Sequence, residues 1–284
     1  MKILVTLNGS AKSERAIPLV VELARRWQAE VLVVRALDPV GGTGNPLVPL
    51  VVDSVYQAMV KVVEDYLLAV SSLFEGVPLR TFSLTGGTAQ CIRDLAVREE
   101  CDLIVMASRG YTGFVRWLWG SVAEGMARVA PCPVLLVRRD RPTLWREILV
   151  PVDGSVPSCS VLEKISRFLE PTTRVTLLHC SAITEVEEMV SPSAREQAYQ
   201  VRSQLKKLVE DKPWHHLEFS SAAAPQGIFD WLEDHDCDLI AMSTHGREGL
   251  AHFWTGSIME QVARHANCPV LVFPPALVKA QQIS

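Results

Sequence analysis

The sequence has no large excess of basic or acidic residues. Its 28 lysines and arginines nearly balance 32 aspartates and glutamates, which leaves a formal net charge of −4. A protein that binds nucleic acid or an anionic membrane through its general charge carries a large basic excess, and this chain has none. We therefore expect neither nucleic acid nor a membrane among its partners.

Paired cysteine motifs are lacking as well. The seven cysteines are an odd number, and none stands in a Cys-x-x-Cys or Cys/His spacing suited to a metal or redox site. No signal-peptide pattern precedes the first apolar segment, and the uncharged run over 39–52 holds three glycines and three prolines, which indicates a loop rather than a membrane helix. These absences predict free thiols, no bound metal and a cytoplasmic protein.

The common signatures of hydrolases are also missing. The sequence contains no Gly-x-Ser-x-Gly elbow, no His-Glu-x-x-His pair and no complete phosphate-binding loop with its lysine. No side chain is thereby marked as a nucleophile or general base. We expect that the protein is not an enzyme and assign it no catalytic residue.

What the chain does contain is an internal repeat. With 284 residues, 48% of them hydrophobic and 21% charged, it has the size and composition of two globular domains. Three segments recur, at an offset that falls from 145 to 136 residues: Ile3–Ser10 as Ile148–Ser155, Cys101–Met106 as Cys237–Met242, and Cys132–Val137 as Cys268–Phe273. The repeat predicts one module over 1–140, a second over 146–275 and a C-terminal tail over 276–284.

Apolar runs alternate with longer amphipathic ones in each copy. We predict strands near 3–7, 31–36, 79–84, 102–106 and 133–137, then near 147–151, 174–180, 216–220, 238–242 and 269–273. The helices of the first copy are predicted near 11–28, 53–74, 88–99 and 121–130, and the second copy has a shortened helix near 195–210. Continuous apolar strands alternating with helices predict an α/β fold, with a five-stranded parallel-type sheet covered by helices on both faces in each copy.

Glycine-containing turns follow the fourth strand of each copy. Residues 107–110 read Ala-Ser-Arg-Gly, and nine residues later Gly120-Ser121 opens a helix; residues 243–246 read Ser-Thr-His-Gly, and nine residues later comes Gly256-Ser257. A Gly-Ser pair at a helix start offers free N–H groups, a hydroxyl and the positive end of the helix dipole, which suits a phosphate. An ordinary turn glycine with an N-cap serine is the structural alternative.

The layout resembles the universal stress protein family, over essentially the whole chain. The shared features are the first-strand turn, the loop pattern Gly, two residues, Gly, nine residues, Gly-Ser/Thr, and the final Cys-Pro-Val strand. The resemblance implies a Rossmann-like fold of the adenine nucleotide alpha hydrolase-like type and a role as a sensor or adaptor in stress response. It also implies binding of ATP or a related adenine nucleotide, with or without Mg²⁺. Because the sequence places no general base beside the phosphates, we expect at most slow ATP hydrolysis.

The nucleotide contacts that the resemblance implies fall at matching positions in both copies. In the second module, which we favour, they are Pro151, Val152, Asp153, Cys180, Gly246, Gly256 and Ser257. In the first module they are Asn8, Ala36, Gly110, Gly120 and Ser121. A carboxylate such as that of Asp153 accepts hydrogen bonds from ribose hydroxyls, and Asn8 accepts them without charge assistance.

A second class of function stays open beside nucleotide binding. Both copies depart from the family pattern at its first glycine, where Ala107 and Ser243 stand, and a Cβ there obstructs close approach of a phosphate or a positive φ. The alternative is a nucleotide-free interaction protein that acts through module dimerisation on an unknown protein partner. The apolar final strands, 134–137 and 270–273, are edge strands suited to pairing, so we expect an intramolecular pseudo-dimer, with a homodimer of chains as a further step.

Overall fold

The apolar runs of the sequence become parallel strands. A computed structural model describes residues 1–37, 49–107, 121–138, 145–181, 183, 185–210, 215–244 and 258–278. The chain divides into two units, module one (Met1–Pro142) and module two (Thr143–Ser284). The described strands are β1 (Lys2–Thr6), β2 (Glu30–Leu37), β3 (Leu79–Thr85), β4 (Leu103–Ala107) and β5 (Val134–Val137) in module one, and β6 (Glu147–Val152), β7 (Arg174–Cys180), β8 (His215–Ser220), β9 (Leu239–Ser243) and β10 (Val270–Phe273) in module two.

Helices occupy the connections between these strands. Module one has α1 (Ala11–Glu14), α2 (Ile17–Trp27), α3 (Pro49–Ser71), α4 (Thr88–Arg98) and α5 (Ser121–Val129). Module two has α6 (Val156–Ile165), α7 (Glu185–Val190), α8 (Pro192–Val209), α9 (Gln226–Asp234), α10 (Ile258–His265) and α11 (Pro275–Val278). Single 3₁₀ turns follow α3 and α6. None of the helices within the described ranges has the length and apolarity that crossing a membrane requires.

Both modules have the same doubly wound topology. The strand order is β3-β2-β1-β4-β5 in module one and β8-β7-β6-β9-β10 in module two, and the neighbouring strands within each module pair in parallel. Because parallel crossovers are right-handed, α2 and α3 cover one face of the first sheet while α4 and α5 cover the other, and α4 contacts α5. The predicted α/β fold class is confirmed.

The central strands supply the core of each module. Side chains on both faces of these strands are fully buried, as helices on both faces require. The residues with no exposed surface include Ile3, Leu4, Val5, Leu103, Ile104 and Val105 in module one, and Leu149, Val150, Leu239, Ile240 and Ala241 in module two. Removing such side chains from water is the main stabilisation of folds of this type.

Helix boundaries differ from the sequence predictions where prolines stand. The helix predicted near 11–28 is two helices, because the ring of Pro18 and its missing N–H disrupt the turn that joins α1 to α2. Pro49, assigned to a loop, instead opens α3, where the N–H that proline lacks has no helical partner. The helix predicted near 195–210 is α8, which begins at Pro192, and α7 before it was not predicted.

The strand order reverses beside the first strand of each module. In module one the reversal lies between β1 and β4, and in module two between β6 and β9. Ligands of open parallel sheets bind at the carboxyl ends of the strands at such a point, because the loops there turn in opposite directions and leave a crevice. The two carboxyl edges are therefore where a ligand site is expected.

Candidate functional site

A proline opens the carboxyl edge of module two. The ladder between β6 and β9 pairs Ile148 with Leu239 and Leu149 with Ile240, and no further pairs follow in these described strands. In module one the matching ladder continues to Thr6 and Met106. Pro151 stands in β6 at the position of Thr6 and has no N–H to donate, so the ladder has no donor there. Beyond Leu149 the two strands are free to separate.

A cleft of about 170 Å³ lies at this edge. It is lined by Pro151, Val152, Asp153, Ser158, Leu178, Cys180, Ala224, Ile228, Met242, Ser243, Thr244, Ile258 and Met259. Its volume is close to the roughly 150 Å³ of apolar protein cavities that hold one benzene ring. An aromatic heterocycle is therefore a ligand of suitable size and polarity, with most of its contacts apolar and a few polar atoms at the rim.

Asp153 provides the charge at the rim of the cleft. Its Oδ1 accepts hydrogen bonds from the Ser155 N–H at 2.9 Å and from the Ser158 Oγ at 2.6 Å, while Ser155 caps the start of α6. Gly154 between them has φ +79°, and a Cβ there would lie 2.9 Å from Val201 Cγ1, so both conformation and space require glycine. The turn thus holds the carboxylate in one orientation.

The same turn follows β1 in module one, with an amide in place of the carboxylate. The Asn8 Oδ1 accepts from the Ser10 N–H at 3.0 Å and from the Ser10 Oγ at 2.6 Å, and Gly9 has φ +80°. A Cβ at Gly9 would meet the Arg35 guanidinium within 2.8 Å, and this guanidinium lies 4.8 Å from the Tyr66 ring centroid. The turn geometry is therefore shared, whereas the charge beside it is positive in module one.

The floor of the module two cleft depends on a close approach of α9 to β7. A Cβ at Gly227 would lie 2.6 Å from Ser220 Oγ and 2.9 Å from Cys180 Sγ, so only glycine lets the helix start so close to the strand ends. Burial, with a smaller contribution from the Asp230 carboxylate, raises the pKa of Cys180 to about 11. The Cys180 thiol is consequently neutral at pH 7 and acts as an apolar lining group.

Four of the predicted site residues of module two line this one cleft: Pro151, Val152, Asp153 and Cys180. Gly246, Gly256 and Ser257 lie outside the described residues, as do Gly110 and Gly120 of module one. Ser121 is the first residue of α5, and its side chain is likewise outside them. Asn8 lies in the turn after β1, and Ala36 lies near the carboxyl end of β2.

The two departures from the first-glycine pattern fall inside strands. Ala107 is the last residue of β4 and pairs with Val137, and Ser243 is the last residue of β9 and pairs with Phe273. Neither has a positive φ. The expected conformational obstacle to a side chain at these positions is therefore absent, because extended backbone accepts any residue with a Cβ.

Several lining residues escaped the sequence prediction. Leu178, Ile228, Met242 and Met259 are each less than 7% exposed and read in sequence as ordinary core residues. Ala224, Ser243 and Thr244 follow or end strands, a position that marks the ligand edge of every parallel sheet. That position at the strand ends is the sequence signal that points to these residues.

The fold and the edge site together define a class. Five parallel strands, wound both ways from a switch point with a glycine turn after the first strand, form a doubly wound α/β module, and this chain has two. The family model described as "Universal stress protein family" matches residues 1–138 and 145–274. The chain belongs to the universal stress protein family and carries two tandem copies of its module.

Individual universal stress proteins are similar to this chain in sequence and in fold. A universal stress protein of Methanocaldococcus jannaschii is 32% identical over 146 residues, which cover 49% of this chain and 83% of that protein. One of Mycobacterium tuberculosis is 27% identical over 200 residues, covering 62% of this chain and 63% of the relative, less than two thirds of its length. The crystal structure of a universal stress protein from Archaeoglobus fulgidus has a TM-score of 0.77 at 20% identity, covering 96% of this chain and 98% of that one, a likeness of fold.

Proposed function

We propose that module two binds an adenine nucleotide, with ATP as the first candidate, and that the protein acts as a sensor or adaptor in stress response. The observation that carries the proposal is the cleft that opens beyond Leu149, with the Asp153 carboxylate at its rim. The base would enter the apolar part, lined by Leu178, Ile228 and Met259, and the carboxylate would accept from the ribose hydroxyls. The phosphates would be bound, as the family resemblance implies, by Gly246, Gly256 and Ser257.

Module two is favoured over module one by two features of its edge. Pro151 ends the β6–β9 ladder early, whereas Thr6 leaves the β1–β4 ladder intact at the same position. Asp153 offers a charged acceptor, and hydrogen bonds to charged groups are roughly twice as strong as neutral ones. Asn8 in module one offers only the neutral amide oxygen.

We further propose that the bound nucleotide is hydrolysed slowly or not at all. Asp153 is the one carboxylate among the described residues that line the cleft, and its Oδ1 already accepts two hydrogen bonds from the turn. Such a group is suited to holding a ligand and is poorly placed to take a proton from an attacking water. The nucleotide would act by stabilising the conformation that binds it, which changes the surface offered to a partner protein.

The variant Asp153→Asn tests the proposal with little disturbance of the fold. Asn8 shows that an amide oxygen accepts the same backbone N–H two residues on and a serine hydroxyl of the turn, so the change removes mainly the charge. Exchanging a charged for a neutral hydrogen bond costs about 1.4 kcal/mol, which is about tenfold in affinity. With Mg-ATP at one hundred times the wild-type dissociation constant, the stabilisation should fall from about 2.7 to about 1.4 kcal/mol.

The matched control is Asp234→Asn. Asp234 is exposed at the end of α9 and outside the cleft lining, and the variant makes the same change in net charge. It should keep the full thermal shift with Mg-ATP. Equal thermal shifts in wild type and Asp153→Asn would show that Asp153 does not contact the nucleotide. No thermal shift with any adenine nucleotide would favour the alternative, a nucleotide-free interaction protein.

A further inference from the structure

Two thiols of module two face each other away from the nucleotide cleft. The Cys268 Sγ and the Cys237 Sγ are in hydrogen-bond contact at 3.9 Å, and either thiol can be the donor. Cys237 precedes β9 and Cys268 precedes β10 by two residues each, so the pair lies at the amino ends of these strands, opposite the carboxyl edge that forms the cleft. The proposed nucleotide binding uses neither residue.

The position of the two sulfurs suits a disulfide. The β9–β10 register pairs Val270 with Ile240, and the Ile240 N–H donates to the Pro269 carbonyl, so both cysteines lie just before a hydrogen-bonded ladder. Their Sγ atoms are 3.9 Å apart, and a disulfide bond is about 2.0 Å long, so bond formation requires the sulfurs to move about 2 Å closer.

The pKa of one thiol gives the two cysteines different roles. Both residues are partly exposed, so a small oxidant can reach the pair. The hydrogen bond with Cys268 and burial raise the pKa of Cys237 well above its ordinary value, which keeps that thiol protonated until it reacts. Cys268 is therefore the thiol that reacts first with the oxidant, and Cys237 is the thiol that reacts second.

We propose that Cys237 and Cys268 form a reversible disulfide on exposure to low-molecular-weight disulfides such as oxidised glutathione. The Cys268 thiolate attacks the small disulfide, forming a mixed disulfide and releasing one small thiol. Cys237 then attacks the Cys268 sulfur, its proton passing to the second departing small thiol. One small disulfide and two protein thiols become one protein disulfide and two small thiols, so electrons and protons balance.

This crosslink encloses the segment assigned to phosphate binding. The 30 residues between Cys237 and Cys268 include Gly246, Gly256 and Ser257. Because β9 and β10 are already paired in the folded module, the disulfide acts mainly by closing a loop in the unfolded chain, which stabilises module two. The thiol pair thus gives module two a stability that depends on oxidation, chemically independent of the nucleotide.

The experiment is to equilibrate the purified full-length chain with oxidised and reduced glutathione at a series of ratios. Peptide mapping by mass spectrometry should find Cys237 joined to Cys268 with a loss of two hydrogen atoms, and free thiols should fall from seven to five per chain. Dithiothreitol should restore all seven. A linkage between other cysteines, or glutathione retained on Cys268 with no Cys237 link, would overturn the proposal.

Single cysteine variants test the role given to each of the two thiols. Cys237→Ser should stop at the mixed disulfide and carry glutathione on Cys268, whereas Cys268→Ser should resist oxidation in this region. The control is the double variant Cys101→Ser, Cys132→Ser, the repeat counterpart in module one, where both residues are at most 8% exposed. It should still form the Cys237–Cys268 link. Because the peptide map on the unaltered chain decides the matter alone, a variant that fails to fold leaves the test intact.

Discussion

The substitution Gly227→Ala probes how tightly α9 must approach β7 to form the cleft floor. The added Cβ would lie 2.6 Å from Ser220 Oγ, 2.7 Å from the Ala222 carbonyl oxygen and 2.9 Å from Cys180 Sγ, all well inside ordinary contact. One of the three neighbours is backbone and cannot rotate away. Overpacking of this kind costs about 1–3 kcal/mol. For a unit of this size that corresponds to a fall of roughly 4–12 °C in melting temperature.

Thermal unfolding followed by circular dichroism measures the effect, and two further variants test its cause. Adding Cys180→Ala to Gly227→Ala removes one of the three crowded neighbours and should recover part of the loss. The repeat counterpart of Gly227 in module one is Cys91, whose thiol already occupies the corresponding space and contacts the Thr85 carbonyl at 3.5 Å. Cys91→Ala should therefore change stability much less. An unchanged melting temperature for Gly227→Ala would refute the close-packing argument.

Two further predictions concern stability. Ser155→Ala should lower the free energy of unfolding in urea by about 1 kcal/mol, because Ser155 caps α6. Ser10→Ala should lower it by a similar amount, because Ser10 caps α1 in module one. Unequal losses would contradict the equivalence of the two turns. Burial, followed by the hydrogen bond to Glu14, raises the pKa of Tyr66 to about 12. Its contribution to stability is complete below the unfolded pKa of about 10 and is lost as the pH rises toward 12. Tyr66→Phe should therefore remove a step near pH 12 from the ultraviolet tyrosine titration.

Much of the fold could be predicted because the repeat shows each module twice. Strands such as 103–107 and 239–243 are short apolar runs that recur in register, and a recurring pattern outweighs local ambiguity. The split between α1 and α2 was missed because the apolar periodicity continues through it and only Pro18 marks the break. The start of α3 at Pro49 could not be predicted, because a proline can mark the first turn of a helix as well as its end.

The site was predictable only in part. The turn after β6 could be found because Asp153, Gly154 and Ser155 are adjacent in sequence and recur as Asn8, Gly9 and Ser10. The early end of the β6–β9 ladder could not be predicted from the sequence, since it depends on which neighbouring strand the backbone nitrogen of Pro151 faces. The approach of α9 to Cys180 could not be predicted either, because Gly227 is 47 residues away in sequence and its role appears only when the strands are aligned.

The most direct test of nucleotide binding is the identity of what the protein carries when purified. The full-length chain is denatured in acid, and the released small molecules are separated by chromatography and identified by mass spectrometry. We predict an adenine nucleotide at close to one per chain, and less in Asp153→Asn than in Asp234→Asn. No released nucleotide, together with no thermal stabilisation by ATP, ADP or AMP, would contradict the assignment of a nucleotide site to module two.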